Sequence, residues 1–252
     1  MLHQFKVDSM SVEVYRNRQE MGRAAASKVA SSIKKALSEK GEVRMIFASA
    51  PSQNEFLQHL KLECDIDWSK ITAFHMDEYI GLDANAPQRF SRYIKENLFD
   101  EVKPGHVHYI ENNINAETEC ERYAKLLVEA PIDIVCMGIG ENGHLAFNDP
   151  PVANFHDTQA VKIVELDLIC RQQQVNDGCY NQIDEVPTHA ITLTIPTLLS
   201  AKELSVVVPG PTKRNAVYST LHDAITTACP STILRHHNQC MLLLDEQAYG
   251  EK

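Results

Sequence analysis

Residues 137–151 read MGIGENGHLAFNDPP, and Glu141, Asn142, His144, Asn148 and Asp149 all fall within nine consecutive positions of that stretch. An imidazole titrates near neutrality, so a histidine oriented by a nearby acid can shuttle protons. Folding of the loop brings His144 within reach of Asp149 or Asn142, while Gly138 and Gly140 let the backbone turn and approach a ligand closely. The plainer alternative is a structural histidine in a turn. A second cluster, His75-Met76-Asp77-Glu78-Tyr79, offers adjacent carboxylates for general-base chemistry, with a histidine and a tyrosine beside them. Neighbours in a strand point to opposite sides, so one acid of the pair faces a ligand, unless the segment is a solvated acidic turn. A third stretch, Ser49-Ala50-Pro51-Ser52-Gln53-Asn54, places hydroxyls and free backbone N–H groups at the start of a helix. Such donors suit a phosphate, and N-capping by Ser52 or Asn54 is the alternative.

Each cluster follows a short apolar run, which says what must position it. β-prone runs recur at 43–48 (VRMIFA), 71–74 (ITAF), 132–137 (IDIVCM), 190–194 (AITLT), 205–208 (SVVV) and 241–244 (MLLL). Between them lie helical patterns at 19–37, ending at Lys40-Gly41 with a cation and a C-cap glycine, and at 54–62, 88–98, 117–128, 195–200 and 212–221. Strands alternating with helices predict an α/β fold, one open, mostly parallel, Rossmann-like sheet with helices on both faces. Ligands of such sheets bind beyond the carboxyl ends of the strands, where the three polar clusters sit. Residues 104–115 and 149–162 are the least regular and are expected as loops near the site.

The 252 residues are read as a single domain, 1–252, long enough for a sizeable core. Apolar residues make up 44% and charged residues 23%, and no stretch is apolar and long enough to span a bilayer, so no membrane partner is expected. The N-terminus carries no apolar signal core with a cleavage site, which points to a cytoplasmic location. Seven cysteines, an odd number without a CxxC pair, read as reduced thiols. A net charge of −10 argues against a nucleic-acid partner, and an anionic substrate requires cations gathered locally.

FHMDEYIGL and GIGENGHLAFNDP resemble segments of the glucosamine-6-phosphate deaminase/isomerase family, in the superfamily shared with 6-phosphogluconolactonases. VPTHAITLTIPTLLSAKE (186–203) and GPTKRNAV (210–217) are similar to family segments in the same order, so the likeness covers nearly the whole chain. GHLAFNDP favours the deaminase branch, because lactonases typically read GHTASLFP there. The resemblance implies conversion of glucosamine 6-phosphate to fructose 6-phosphate and ammonia, with a small-molecule sugar phosphate as partner and neither metal nor organic cofactor; the alternatives are a galactosamine-6-phosphate deaminase, a 6-phosphogluconolactonase and a sugar-phosphate-binding regulator without turnover. It implies that Asp77 is the base moving a proton between C2 and C1, that His144 opens the sugar ring, and that Asp149 and Asn142 orient it. It places Lys213 on the substrate phosphate. The family's glycine- and threonine-rich phosphate loop, of the type TGxTP, is replaced here by ASAPSQ. Ser49, Ser52 and Gln53 become the candidate donors, with Glu78, Gly140 and Arg171 as further substrate contacts. Relatives occur in several assembly states, so a homo-oligomer is compatible with the resemblance but no subunit number follows.

Overall fold

In the computed structural model, which describes residues 1–111 and 114–250, the apolar runs form strands packed between helices. The strands are β1 (His3–Val7), β2 (Met10–Tyr15), β3 (Val43–Phe47), β4 (Ile71–His75), β5 (Asp77–Tyr79), β6 (His106–His108), β7 (Ile134–Met137), β8 (Val161–Glu165), β9 (His189–Leu193), β10 (Glu203–Val208) and β11 (Cys240–Asp245). Eight of them make one sheet in the order β1-β2-β11-β10-β7-β3-β4-β6, parallel except for the β1–β2 hairpin. All five residues of β3 and all four of β7 are buried, as expected where helices cover both faces of a parallel sheet. The chain runs outward from β3 through β4 to β6, then returns beside β3 as β7 and continues through β10 to β11. The crevice between β3 and β7 is therefore the topological switch point, where an open α/β sheet holds its ligand.

Helix α1 (Arg18–Lys40) starts on Asn17, whose side chain caps Glu20 N–H, and stops at Gly41 in the left-handed conformation. Its neighbour α2 (Asn54–Leu60) lies so close that a Cβ on Gly22 would stand 2.6 Å from Cβ of Glu55. Glycine is required there by close approach of two helices.

Two expectations are corrected. The run at 190–194 is not in the main sheet: β9 pairs antiparallel with both β5 and β8 in a separate three-stranded sheet. A single-residue gap at Met76 turns the chain out of the parallel sheet, so Asp77 begins a new strand. The loop expected over 149–162 is one as far as β8, which begins at Val161, and beyond the expected range a helix over Leu168–Asn176 packs through Cys170, Gln173 and Gln174. The loop expected over 104–115 contains β6. It also includes residues 112 and 113, and the domain expected over 1–252 includes 251 and 252, all outside the described residues.

Candidate active site

A cavity of about 560 Å³ opens at the switch point, walled by the segments leaving β3, β4, β7 and β10. Asp77, Gly140, His144, Ser49, Ser52 and Lys213 all line it. The small sheet explains the convergence. Asp77 in β5 pairs with Thr192 in β9, and the Thr192 hydroxyl accepts from Phe147 N–H at 3.1 Å. Fully buried Asn148 donates to Leu145 O and to Leu193 O, tying the His144 loop to the same strand. Two sequence-distant loops are thus fixed to one antiparallel ladder.

Asn142 and Asp149 stand behind His144, not in the cavity wall. His144 Nδ1 lies 2.9 Å from Asp149 Oδ1 and 2.8 Å from Asn142 Oδ1, and Asn142 Nδ2 donates to the same Asp149 oxygen at 2.8 Å. Both atoms facing Nδ1 are acceptors, so Nδ1 carries a proton and Nε2 is the ring nitrogen left to exchange one. The imidazole lies flat over Gly140: a Cβ there would come within 2.2 Å of the ring. Burial alone would raise the Asp149 pKa, but the attraction of His144 and hydrogen bonds from His144, Asn142 and Cys170 hold it below the usual carboxylate range. His144, Asp149 and Cys170 are also a grouping with metal-ligand chemistry, their donor atoms lying within 4.8 Å of one another. Burial pushes the Cys170 thiol far up, favouring the protonated form over the thiolate a metal requires.

Asp77 and Glu78 diverge, as adjacent strand residues must. Asp77 lines the cavity, and burial together with the negative charge of Glu78 raises its carboxyl well above the ordinary value. Glu78 is buried and does not line the cavity. It accepts from Tyr79 N–H, Phe90 N–H, Ser91 N–H and the Ser91 hydroxyl, which fastens the start of α3 (Phe90–Ile94) beneath Asp77. His75 is likewise structural: its Nε2 accepts from Ile110 N–H, and burial pulls its pKa down to about 3.

Lys213 lines the same cavity and is 5% exposed, so it is a cavity lysine and not a solvent-facing one. Burial lowers its pKa, offset by the nearby carboxylates of Asp177 and Glu141. Ser49 is also buried, and its hydroxyl has no partner among the described residues. Gln53 does not reach the cavity: its amide donates to Ser52 Oγ at 3.1 Å and to Val207 O at 3.3 Å, bracing the loop. Arg171 is turned away, its guanidinium spent on Ile183 O and Val186 O. Ile183 O also accepts from Val186 N–H in a short 3-10 turn, while Val186 O accepts from both Nε and Nη2 of Arg171. Sequence reading missed Arg18, Gln174 and Asp177, which also line the cavity. No local motif marks Arg18; only the packing of α1 on α2 brings it there.

Residues 16–243 match the family described as glucosamine-6-phosphate isomerases/6-phosphogluconolactonase. The chain belongs to this family. A glucosamine-6-phosphate deaminase of Streptococcus pneumoniae serotype 4 is 32% identical over 223 residues, 88% of this chain and 93% of that protein. One from Streptococcus suis is 32% identical over 203 residues, 80% and 84% of the respective chains. The solved structure of a monomeric glucosamine-6-phosphate deaminase superposes with a TM-score of 0.86 at 28% identity, covering 94% of this chain and 98% of its own. A 6-phosphogluconolactonase from Shewanella baltica, 18% identical, shares the fold with a TM-score of 0.77 over 96% and 97% of the two chains. Family membership agrees with the α/β fold and with a cavity at the switch point.

Proposed function

We propose that this protein is a glucosamine-6-phosphate deaminase, and that Asp77, His144 and Lys213 divide the work. The observation that carries the reading is that an acid, an aimed imidazole and a buried lysine, from three distant parts of the chain, line one cavity. His144, protonated on Nδ1, exchanges a proton through Nε2 between the anomeric hydroxyl and the ring oxygen, opening the sugar. Asp77 then removes the C2 proton, forming an enolamine, and returns it to C1. Water replaces the nitrogen at C2, so glucosamine 6-phosphate and water give fructose 6-phosphate and ammonia. Lys213, Ser49 and Ser52 hold the phosphate.

The raised pKa of Asp77 fits this substrate. A raised pKa makes the carboxyl harder to ionise, and a bound ammonium favours the ionised form. The amino sugar therefore helps to prepare the base that acts on it. Water-excluding burial strengthens that coupling.

No helix among the described residues is long and apolar enough to cross a membrane. A cytoplasmic location is part of the proposal, and the seven free cysteines support it. The deciding experiment measures ammonia release from the 6-phosphates of glucosamine, N-acetylglucosamine and galactosamine, with acid release from 6-phosphogluconolactone alongside. Ammonia from glucosamine 6-phosphate is expected; acid release alone would overturn the reading.

A further inference from the structure

The geometry points to Arg18 as a phosphate-binding residue of this cavity, aimed by Glu55, in place of the glycine-rich cradle that the loop at 48–53 lacks. The inference rests on the reading of the cavity as a sugar-phosphate site. Arg18 opens α1 and lines the cavity together with Ser49, Ser52 and Lys213. Its Nε and Nη2 donate to the two carboxylate oxygens of Glu55 at 2.9 Å each, and Nη2 also donates to Pro51 O at 2.9 Å. Nη1 keeps no partner among the described residues. The close approach of α1 and α2 at Gly22 makes the two-point pairing possible, so the guanidinium is held in one orientation beside the loop it serves.

Two further observations on the loop itself point to an anion. The Ser49 hydroxyl is buried in the cavity wall with no partner, although buried polar groups are normally satisfied. The Ser52 oxygen already accepts from Gln53, which leaves its hydroxyl hydrogen free to donate. Charge decides the need for a second cation. A phosphate monoester carries about −1.5 to −2 at neutral pH; Lys213 supplies one positive charge that Asp177 in the same wall opposes, Glu55 offsets part of the charge of Arg18, and the chain is strongly acidic. Arg18 and Lys213 are the lysine and arginine side chains of the cavity wall. The loop therefore binds phosphate through side-chain hydroxyls and a pre-aimed guanidinium instead of through glycine N–H groups.

The test uses Arg18→Gln and Arg18→Lys in the full chain. The readouts are steady-state kinetics on glucosamine 6-phosphate, competitive inhibition by inorganic phosphate, and the thermal shift that phosphate produces. Arg18→Gln is expected to raise KM and the phosphate inhibition constant together by roughly 10- to 100-fold, with kcat within about threefold, as loss of a charge-assisted contact made equally in ground and transition states requires. Arg18→Lys, which keeps charge without the fork, is expected to fall between. A role confined to joining α1 and α2 would lower the melting temperature while leaving KM and phosphate inhibition unchanged, and that result overturns the proposal. If Arg18→Gln does not fold, an unchanged KM in Arg18→Lys overturns it. Should the wild type bind phosphate in an Arg18-dependent way yet release no ammonia, the deaminase reading fails and the Arg18 assignment stands.

Discussion

Asp149 Oδ1 stands 2.9 Å from His144 Nδ1 and receives a second hydrogen bond from Asn142, so one carboxylate oxygen fixes both the tautomer and the tilt of the imidazole. The carboxylate is 1% exposed, where its charge acts on the ring with little screening.

Asp149→Asn removes that charge and is expected to lower kcat on cyclic glucosamine 6-phosphate by up to about 10⁴-fold, the loss seen when the orienting acid of a catalytic histidine is neutralised. An open-chain analogue, which needs no ring opening, should lose far less. Equal losses on both substrates would remove His144 from the ring-opening step.

Gly140→Ala is a cleaner probe of the imidazole's position. Gly140 does not adopt a positive φ, so alanine suits its backbone, yet the added methyl would lie within 2.2 Å of the His144 ring. We expect kcat to drop at least about 100-fold, as a 1 Å misplacement at a reacting centre does. Near-native turnover would show that the ring need not rest on that glycine.

Asp77→Asn is expected to abolish ammonia release while leaving sugar-phosphate binding. Stability should move the other way. The folded-state pKa of Asp77 is raised, so its carboxyl favours the fold at low pH, and that contribution is lost as pH rises from the unfolded value of about 3.9 through the folded one. At pH 8 the variant should therefore melt above the wild type, with the difference shrinking toward pH 4. Denaturation curves at the two pH values check the sign.

Glu78→Gln tests the electrostatic part of the same shift. Burial is the larger cause and remains, but the negative neighbour is gone, so the Asp77 pKa falls. Because the base must be ionised, the acid limb of kcat/KM moves to lower pH. An amide nitrogen among the donors of Tyr79, Phe90 and Ser91 also leaves groups unsatisfied, costing about 1–3 kcal/mol of stability. A limb that stays in place would mean that Glu78 does not influence the base.

The chain alone determined the parts whose chemistry is local. His144 and Asp149 share one short loop, so their pairing needs only that the loop close on itself; that the ring rests on Gly140 is seen only in the structure. Buried parallel strands read as continuous apolar runs, which made β3, β4, β7, β10 and β11 legible. Tertiary structure decided the rest. Whether 190–194 joined the main sheet depended on pairing with β5 and β8, because an apolar run does not encode its partner. Long polar side chains were least legible: Arg171 and Arg18 look alike in sequence, yet carbonyls at 183 and 186 capture one, while Glu55 on a neighbouring helix aims the other into the cavity wall. A guanidinium goes where acceptors converge, and that convergence exists only once separate segments have packed.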